Sequence, residues 1–194
     1  MIQEKLVEKI RSSLIPLQNI PHNAIQRCLW TPRGRIPEIQ VRMTLDQVPG
    51  ISFDVELPMR GKRYKAIQGK KDIEIHHNGQ CLRGFEYIFY YKGMPFVVEV
   101  KASKLNGYSA KIPRSLELAQ DVWGQEVSLL LCYPFNYKEG SFNTSTKNVS
   151  NYARSLEQKY PHVFCINLGY QEDELNTVVR TRNATSKDTD IIIK

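Results

Sequence analysis

The chain has 194 residues, with 27 Lys+Arg against 20 Asp+Glu and a formal net charge of +7. Hydrophobic residues at 41% and charged residues at 24% match ordinary globular composition, which excludes a disordered or fibrous chain. A chain of this length buries roughly 70% of its unfolded surface, enough for a core without staples, and its basic excess points to a polyanionic partner, nucleic acid before a membrane surface.

Ile2, Leu6, Ile10 and Leu14 recur every fourth residue, which predicts an amphipathic helix ending before Pro16. The same segment carries Glu4 and Glu8 where a secretory signal needs a basic start and an apolar run, and the sequence holds no run of the ~18 apolar residues that a membrane span requires. Cys28, Cys81, Cys132 and Cys165 are far apart and form no close ligand pairs. Metal binding by them is therefore not expected, and they read as reduced thiols of a cytoplasmic, nucleoid or nuclear compartment.

Residues 15–37 contain Pro16, Pro21, Pro32 and Pro37 and read as loop. From Glu38 the apolar period becomes two. Ile39, Val41 and Met43 predict one strand and Ile51, Phe53 and Val55 another, with Pro49-Gly50 as the turn. Residues 72–77 read as a strand and 77–80 as a turn. Residues 85–91 and 95–101 then form a hairpin over Lys92-Gly93. Residues 113–124 read as a helix with Pro113 at its start and Gly124 at its end. Residues 127–133 read as a strand buried on both faces, 147–160 as a helix stopped by Pro161, and 162–168 as another buried strand. The remainder, 171–194, reads as a partly ordered tail. The order predicts one α/β domain over 1–194, with a mixed sheet flanked by helices, an N-terminal elaboration over 1–60 and a core over 70–168.

The most informative stretch is residues 84–103. Glu99 and Lys101 stand two apart in a strand otherwise built from Phe96, Val97, Val98 and Val100, so period two puts both on one face. A charge inside a buried strand is costly unless it is paired, hydrated or bound to metal. The hairpin register places Glu86 directly opposite Glu99. Like charges across a ladder repel, and a divalent cation between them removes the penalty. Carboxylate oxygens, with water and phosphate in the remaining positions, suit Mg²⁺ or Mn²⁺, and a neighbouring lysine can orient the attacking water.

The Glu99-Val-Lys101 tripeptide in Phe-Val-Val-Glu-Val-Lys-Ala-Ser resembles the (D/E)xK half-motif of the PD-(D/E)xK nuclease superfamily. The resemblance covers residues 70–168 and implies a restriction-endonuclease-like αβββαβ core. It also implies divalent-metal-dependent hydrolysis of phosphodiester bonds, with DNA ahead of RNA as substrate, and a homodimer or larger nucleoprotein assembly is compatible with it. The family's other acid, an Asp often after Pro, has two candidates. Glu86 has the geometry, and Asp72 has the residue type but sits one strand earlier. The missing Pro-Asp keeps open a non-catalytic nucleic-acid-binding or assembly module on the same fold.

Basic residues flank this strand pair. Lys62, Arg63, Lys70 and Lys71 lie in the densest basic stretch and, with Lys104, Lys111 and Arg114, are the candidate phosphate contacts. His76 and His77 have no partner at ligand spacing, so a metal role is not expected of them. A looser similarity to viral cap-snatching endonucleases would bring in His22 as a metal ligand.

Overall fold

The computed structural model describes residues 2–21, 32–53, 60–69, 72–101, 109–135, 149–170 and 174–178. In chain order the named elements are α1 (Ile2–Ser12), α2 (Pro32–Asp46), β1 (Ile51–Ser52), β2 (Lys65–Gln68), β3 (Ile73–His77), β4 (Gln80–Phe85), β5 (Tyr87–Tyr91), β6 (Met94–Val100), α3 (Ile112–Trp123), β7 (Ser128–Phe135), α4 (Val149–Lys159) and β8 (Val163–Tyr170). Five strands form a mixed sheet in the order β1-β5-β6-β7-β8, and β2-β3-β4 form a second, antiparallel sheet. The first is antiparallel through β1, β5 and β6, and parallel through β6, β7 and β8. The chain is therefore α/β with a five-stranded mixed sheet. No described helix is long and apolar enough to cross a membrane.

The strands at the centre of the large sheet bury both faces, as continuous apolar runs require. On one face Phe89, Phe96, Val98, Leu130 and Ile166 pack against Leu6 and Ile10 of α1 and Ile36, Val41 and Leu45 of α2. On the other, Ile88, Val97, Leu129 and Leu131 pack against Leu118 and Ala119 of α3 and Leu156 of α4. The small sheet closes that second face with Ile73, Ile75 and Phe85. Lys92 and Gly93 turn the β5–β6 hairpin with φ of 51° and 79°, the left-handed pair of a two-residue turn that matches strand twist. Helix α3 ends as its sequence predicts, at Gly124 with φ 92°.

Three elements differ from the sequence reading. Residues 38–43 are not a strand but the middle of α2, with Pro37 inside the helix. The buried positions Ile36, Gln40, Val41, Thr44, Leu45 and Val48 follow a helical stripe, but two of them are polar and break the apolar pattern. Most of their polar atoms are paired: Gln40 Nε2 donates to the Ile15 carbonyl at 2.7 Å, Thr44 Oγ1 accepts from the Ile15 amide at 3.2 Å, and the Thr44 hydroxyl donates to the Gln40 carbonyl at 2.8 Å, while Gln40 Oε1 is buried without a partner among the described residues. The densest basic stretch, to which the sequence reading assigned no element, contains β2, paired to β3 from Lys65↔His76 to Gln68↔Ile73. Residues 80–85 form β4, a separate strand with few apolar positions and a bulge opposite Ile75/His76. In the tail, residues 174–178 are helical and Leu175 is fully buried against α1, α2 and the sheet, so this part packs. Residues 181–194, Phe53's neighbours 54–59, and His22 and Cys28 lie outside the described residues.

Candidate active site

Glu99 stands near the C-terminal end of β6, where that strand runs parallel to β7, with Glu99 paired to Leu131 and Val100 to Cys132. Parallel strand ends are where α/β sheets place ligands, because the following loops splay apart there. Its neighbours Val98 and Val100 face α1 and α2, so Glu99 faces the other way, with Val97, toward α3 and the small sheet. It is 3% exposed. Lys101 follows on the same face, as period two predicts, and its ammonium contacts Glu99 Oε1.

The second partner comes from the small sheet. Arg83 on β4 pairs with Ile75, whose side chain is fully buried, and reaches inward to bring Nη2 within 2.8 Å of Glu99 Oε2. Two cations therefore hold one buried carboxylate, and this keeps an ionised Glu99 tolerable inside the core. The pairing is not fully used: Glu99 Oε2 has no aligned hydrogen bond among the described residues. Arg83 carries no signal in the sequence, because nothing in Leu82-Arg83-Gly84 marks it as inward-facing.

Glu86 arrives by a different route from the expected one. The β5–β6 register holds, but the ladder ends at Tyr87↔Val98, and Glu86 lies in the bend between β4 and β5. Its amide donates to the Val98 carbonyl at 3.0 Å. The Lys101 amide bonds the Cys132 carbonyl in β7, so the preceding Val100 amide points to the β5 side, where no strand residue remains. The Glu86 carboxylate fills that place, accepting the Val100 N–H at 3.0 Å. Glu86 is thus not the ladder partner of Glu99; it caps the same strand end one residue further on.

Burial pushes the Glu86 carboxyl up to about 7; the Val100 hydrogen bond and the Lys101 charge oppose the shift, and Glu38 adds to it. Burial also pushes Lys101 down to about 8, against the attraction of Glu86 and with the help of Arg83 and Lys111. Each group shapes the other's titration, so Glu86 and Lys101 belong to one electrostatic site.

Asp72 stands elsewhere. Its Oδ2 lies 2.8 Å from where a Cβ on Gly84 would sit, on the outer face of the β3–β4 ladder that also carries Glu74. It neighbours the bend that holds Glu86, but Arg83, from the inner side, is what touches Glu99. Among the basic candidates, Lys111 is exposed at the entrance to α3 and acts on Lys101. Lys62 and Arg63 are exposed in the turn before β2, which Asp121 of α3 fixes by accepting the Arg63 and Tyr64 amides at 3.0 and 3.1 Å. Arg114 joins that second group, bonding the Tyr64 hydroxyl at 3.1 Å with its guanidinium over the ring. Lys70, Lys71 and Lys104 lie outside the described residues.

No family model matches the chain, and no curated protein matches it. Among solved structures it is similar to the crystal structure of protein VC1899 from Vibrio cholerae, at 12% identity and a TM-score of 0.42. The match covers 79% of this chain and 34% of that one, so the chain spans about a third of that protein's length.

The donors at the strand end suit a hard divalent cation. Glu86 has one oxygen beyond its Val100 bond, and the buried Glu99 Oε2 lacks an aligned hydrogen bond although Arg83 Nη2 lies 2.8 Å away, so a cation there would share that oxygen with the guanidinium. Both are carboxylate oxygens, the ligand type that Mg²⁺ and Mn²⁺ take.

Proposed function

We propose that the chain is a divalent-metal-dependent nuclease of the PD-(D/E)xK type, built on a restriction-endonuclease-like core. The observation that carries the reading is Glu99: a carboxylate buried at the end of a parallel strand and ion-paired to Arg83 and Lys101, at a strand end whose Val100 amide is bonded by a second carboxylate, Glu86. The order of hairpin β5–β6, helix α3, parallel β7, helix α4 and β8 supports the same core.

Glu86 and Glu99 would hold Mg²⁺ or Mn²⁺, whose chemistry when bound is to acidify a water and to offset charge on phosphate oxygens. Lys101, depressed to about 8, has an appreciable neutral fraction near neutral pH. It can accept a proton from a water aligned for attack on phosphorus and, once protonated, offset charge on the phosphate. Lys111 extends the positive potential next to it, while Lys62, Arg63 and Arg114 offer a second group of phosphate contacts, with Tyr64 as a ring against which Arg114 is held. DNA is the first substrate class and RNA the second.

One observation favours a second reading, a non-catalytic nucleic-acid-binding module. Glu99 is already neutralised by Arg83 and Lys101, so the fold holds together without a metal. Mn²⁺ titration followed by electron paramagnetic resonance separates the two. The enzyme binds Mn²⁺ and loses it in Glu86→Gln/Glu99→Gln. The module binds no Mn²⁺ but retains nucleic acid with a steep salt dependence.

A further inference from the structure

The outer face of the β3–β4 ladder gathers a second set of ligand-type side chains, remote in kind from the carboxylate pair. Glu74 and His76 alternate along β3 on the side away from Ile73 and Ile75, and His76 Nε2 lies 2.7 Å from Glu74 Oε2. The third member comes from β4. An uninterrupted register from Ile73↔Phe85, Glu74↔Gly84 and Ile75↔Arg83 would set Leu82 opposite His76. The bulge shifts the pairing so that Cys81 takes that place. A bulge re-aims side chains at the expense of one ladder position, and this one delivers a thiol to the face that already holds an imidazole and a carboxylate.

The Glu74, His76 and Cys81 ligand atoms all lie within 4.8 Å of one another. A tetrahedral Zn²⁺ with one S, one N and one O ligand separates them by about 3.3–3.6 Å, given the usual bond lengths. Side-chain rotation at a half-exposed surface covers that difference. The other Glu74 oxygen is seated over Gly69, where a Cβ would approach it to 2.7 Å, so the carboxylate is held close to the strands. The mixed set of thiolate, imidazole and carboxylate is suited to a borderline cation and poorly suited to Mg²⁺ or Ca²⁺. Cys81 is exposed, which leaves a fourth position open to water.

We propose that Glu74, His76 and Cys81 form a zinc site that staples β3 to β4, independent of the nuclease reading. The sequence hides it because the spacing between His76 and Cys81 is that of a hairpin with a bulge, not of a recognised ligand motif.

The test uses the full, reduced wild-type chain and Zn²⁺ alone as the probe. Expected is about one Zn²⁺ per chain after gel filtration, with alkylation of Cys81, read by peptide mass spectrometry, slowed at least about tenfold. His76→Ala abolishes this protection, and Cys81→Ser removes the thiolate-to-metal charge-transfer band seen when Co²⁺ replaces Zn²⁺. Circular dichroism establishes that both variants fold. Unchanged alkylation of Cys81 in excess Zn²⁺, or equal Zn²⁺ retention in folded Cys81→Ser, overturns the proposal.

Discussion

Arg83 and Glu99 come from different sheets and meet at 2.8 Å, with the Glu99 side chain almost wholly buried and Arg83 largely so. This ion pair ties the small β2-β3-β4 sheet to the strand that carries the candidate motif. Removing one partner of a buried pair strands the other, whereas replacing both with apolar groups can be neutral. Arg83→Met is expected to cost about 3 kcal/mol in urea unfolding, the low end for such a loss because Lys101 remains beside Glu99. Arg83→Met/Glu99→Met should recover most of it. A single substitution costing under about 1 kcal/mol would mean that the pair is solvated rather than structural.

Glu86 gives a pH signature of the opposite sign to that of an ordinary carboxylate. Burial lifts its carboxyl from the ordinary 4.5 to about 7, so the folded state binds the extra proton between those limits. Stability therefore falls as pH rises from about 4.5 to about 7 and levels off above, where the charged form is buried in both sense and cost. Glu86→Gln keeps an acceptor for the Val100 amide and removes the charge. It should leave stability unchanged near pH 4.5 and raise it at pH 8 by up to about 3 kcal/mol. Thermal melts of both proteins across that range check this.

The same proton competes with a cation. Below about 7 Glu86 is protonated, so Mn²⁺ binding must release a proton, and apparent affinity should drop about tenfold per pH unit. Isothermal titrations in buffers of different ionisation heat would read the released proton directly. Affinity that is flat from pH 5 to 7 would remove Glu86 from the ligand set.

Lys101 sets the upper limb. Its depression to about 8 predicts that cleavage rises with pH through that value, and that Lys101→Ala lowers the rate by about 10²–10⁴-fold with nucleic-acid affinity largely kept. A pH–rate profile of the same shape in the residual activity of Lys101→Ala would assign the titration to another group.

The legible part of the fold was the part governed by one period and simple turns. Phe96 to Val100 form a strand buried on both faces, Lys92-Gly93 can hardly be other than a tight turn, and Glu99 with Lys101 stood out because nothing apolar explains them. Helix α2 was hidden because Gln40 and Thr44 occupy its buried stripe, and their partner, the Ile15 backbone, is far away in sequence. Gln40→Ala should leave the Ile15 carbonyl unpaired and cost about 1–3 kcal/mol, a loss a strand with Gln40 facing solvent would not show. At the candidate site, Glu86 reaches the β6 strand end but not as the ladder partner of Glu99, because the bend between β4 and β5 cannot be read from alternation. The place of Cys81 beside Glu74 and His76 depends on a bulge, and a one-residue shift in register has no signature in composition or spacing.

The central claim, that the Glu99 strand end is a metal-dependent hydrolytic site, is tested most directly by cleavage of plasmid DNA and single-stranded RNA with and without Mn²⁺, comparing wild type with Glu99→Gln. Expected is cleavage only with the cation and a loss of at least about 100-fold in the variant, with circular dichroism establishing that the variant, which leaves Arg83 and Lys101 without their shared carboxylate, is folded. Equal cation-dependent cleavage by wild type and a clean Glu99→Gln preparation would contradict it.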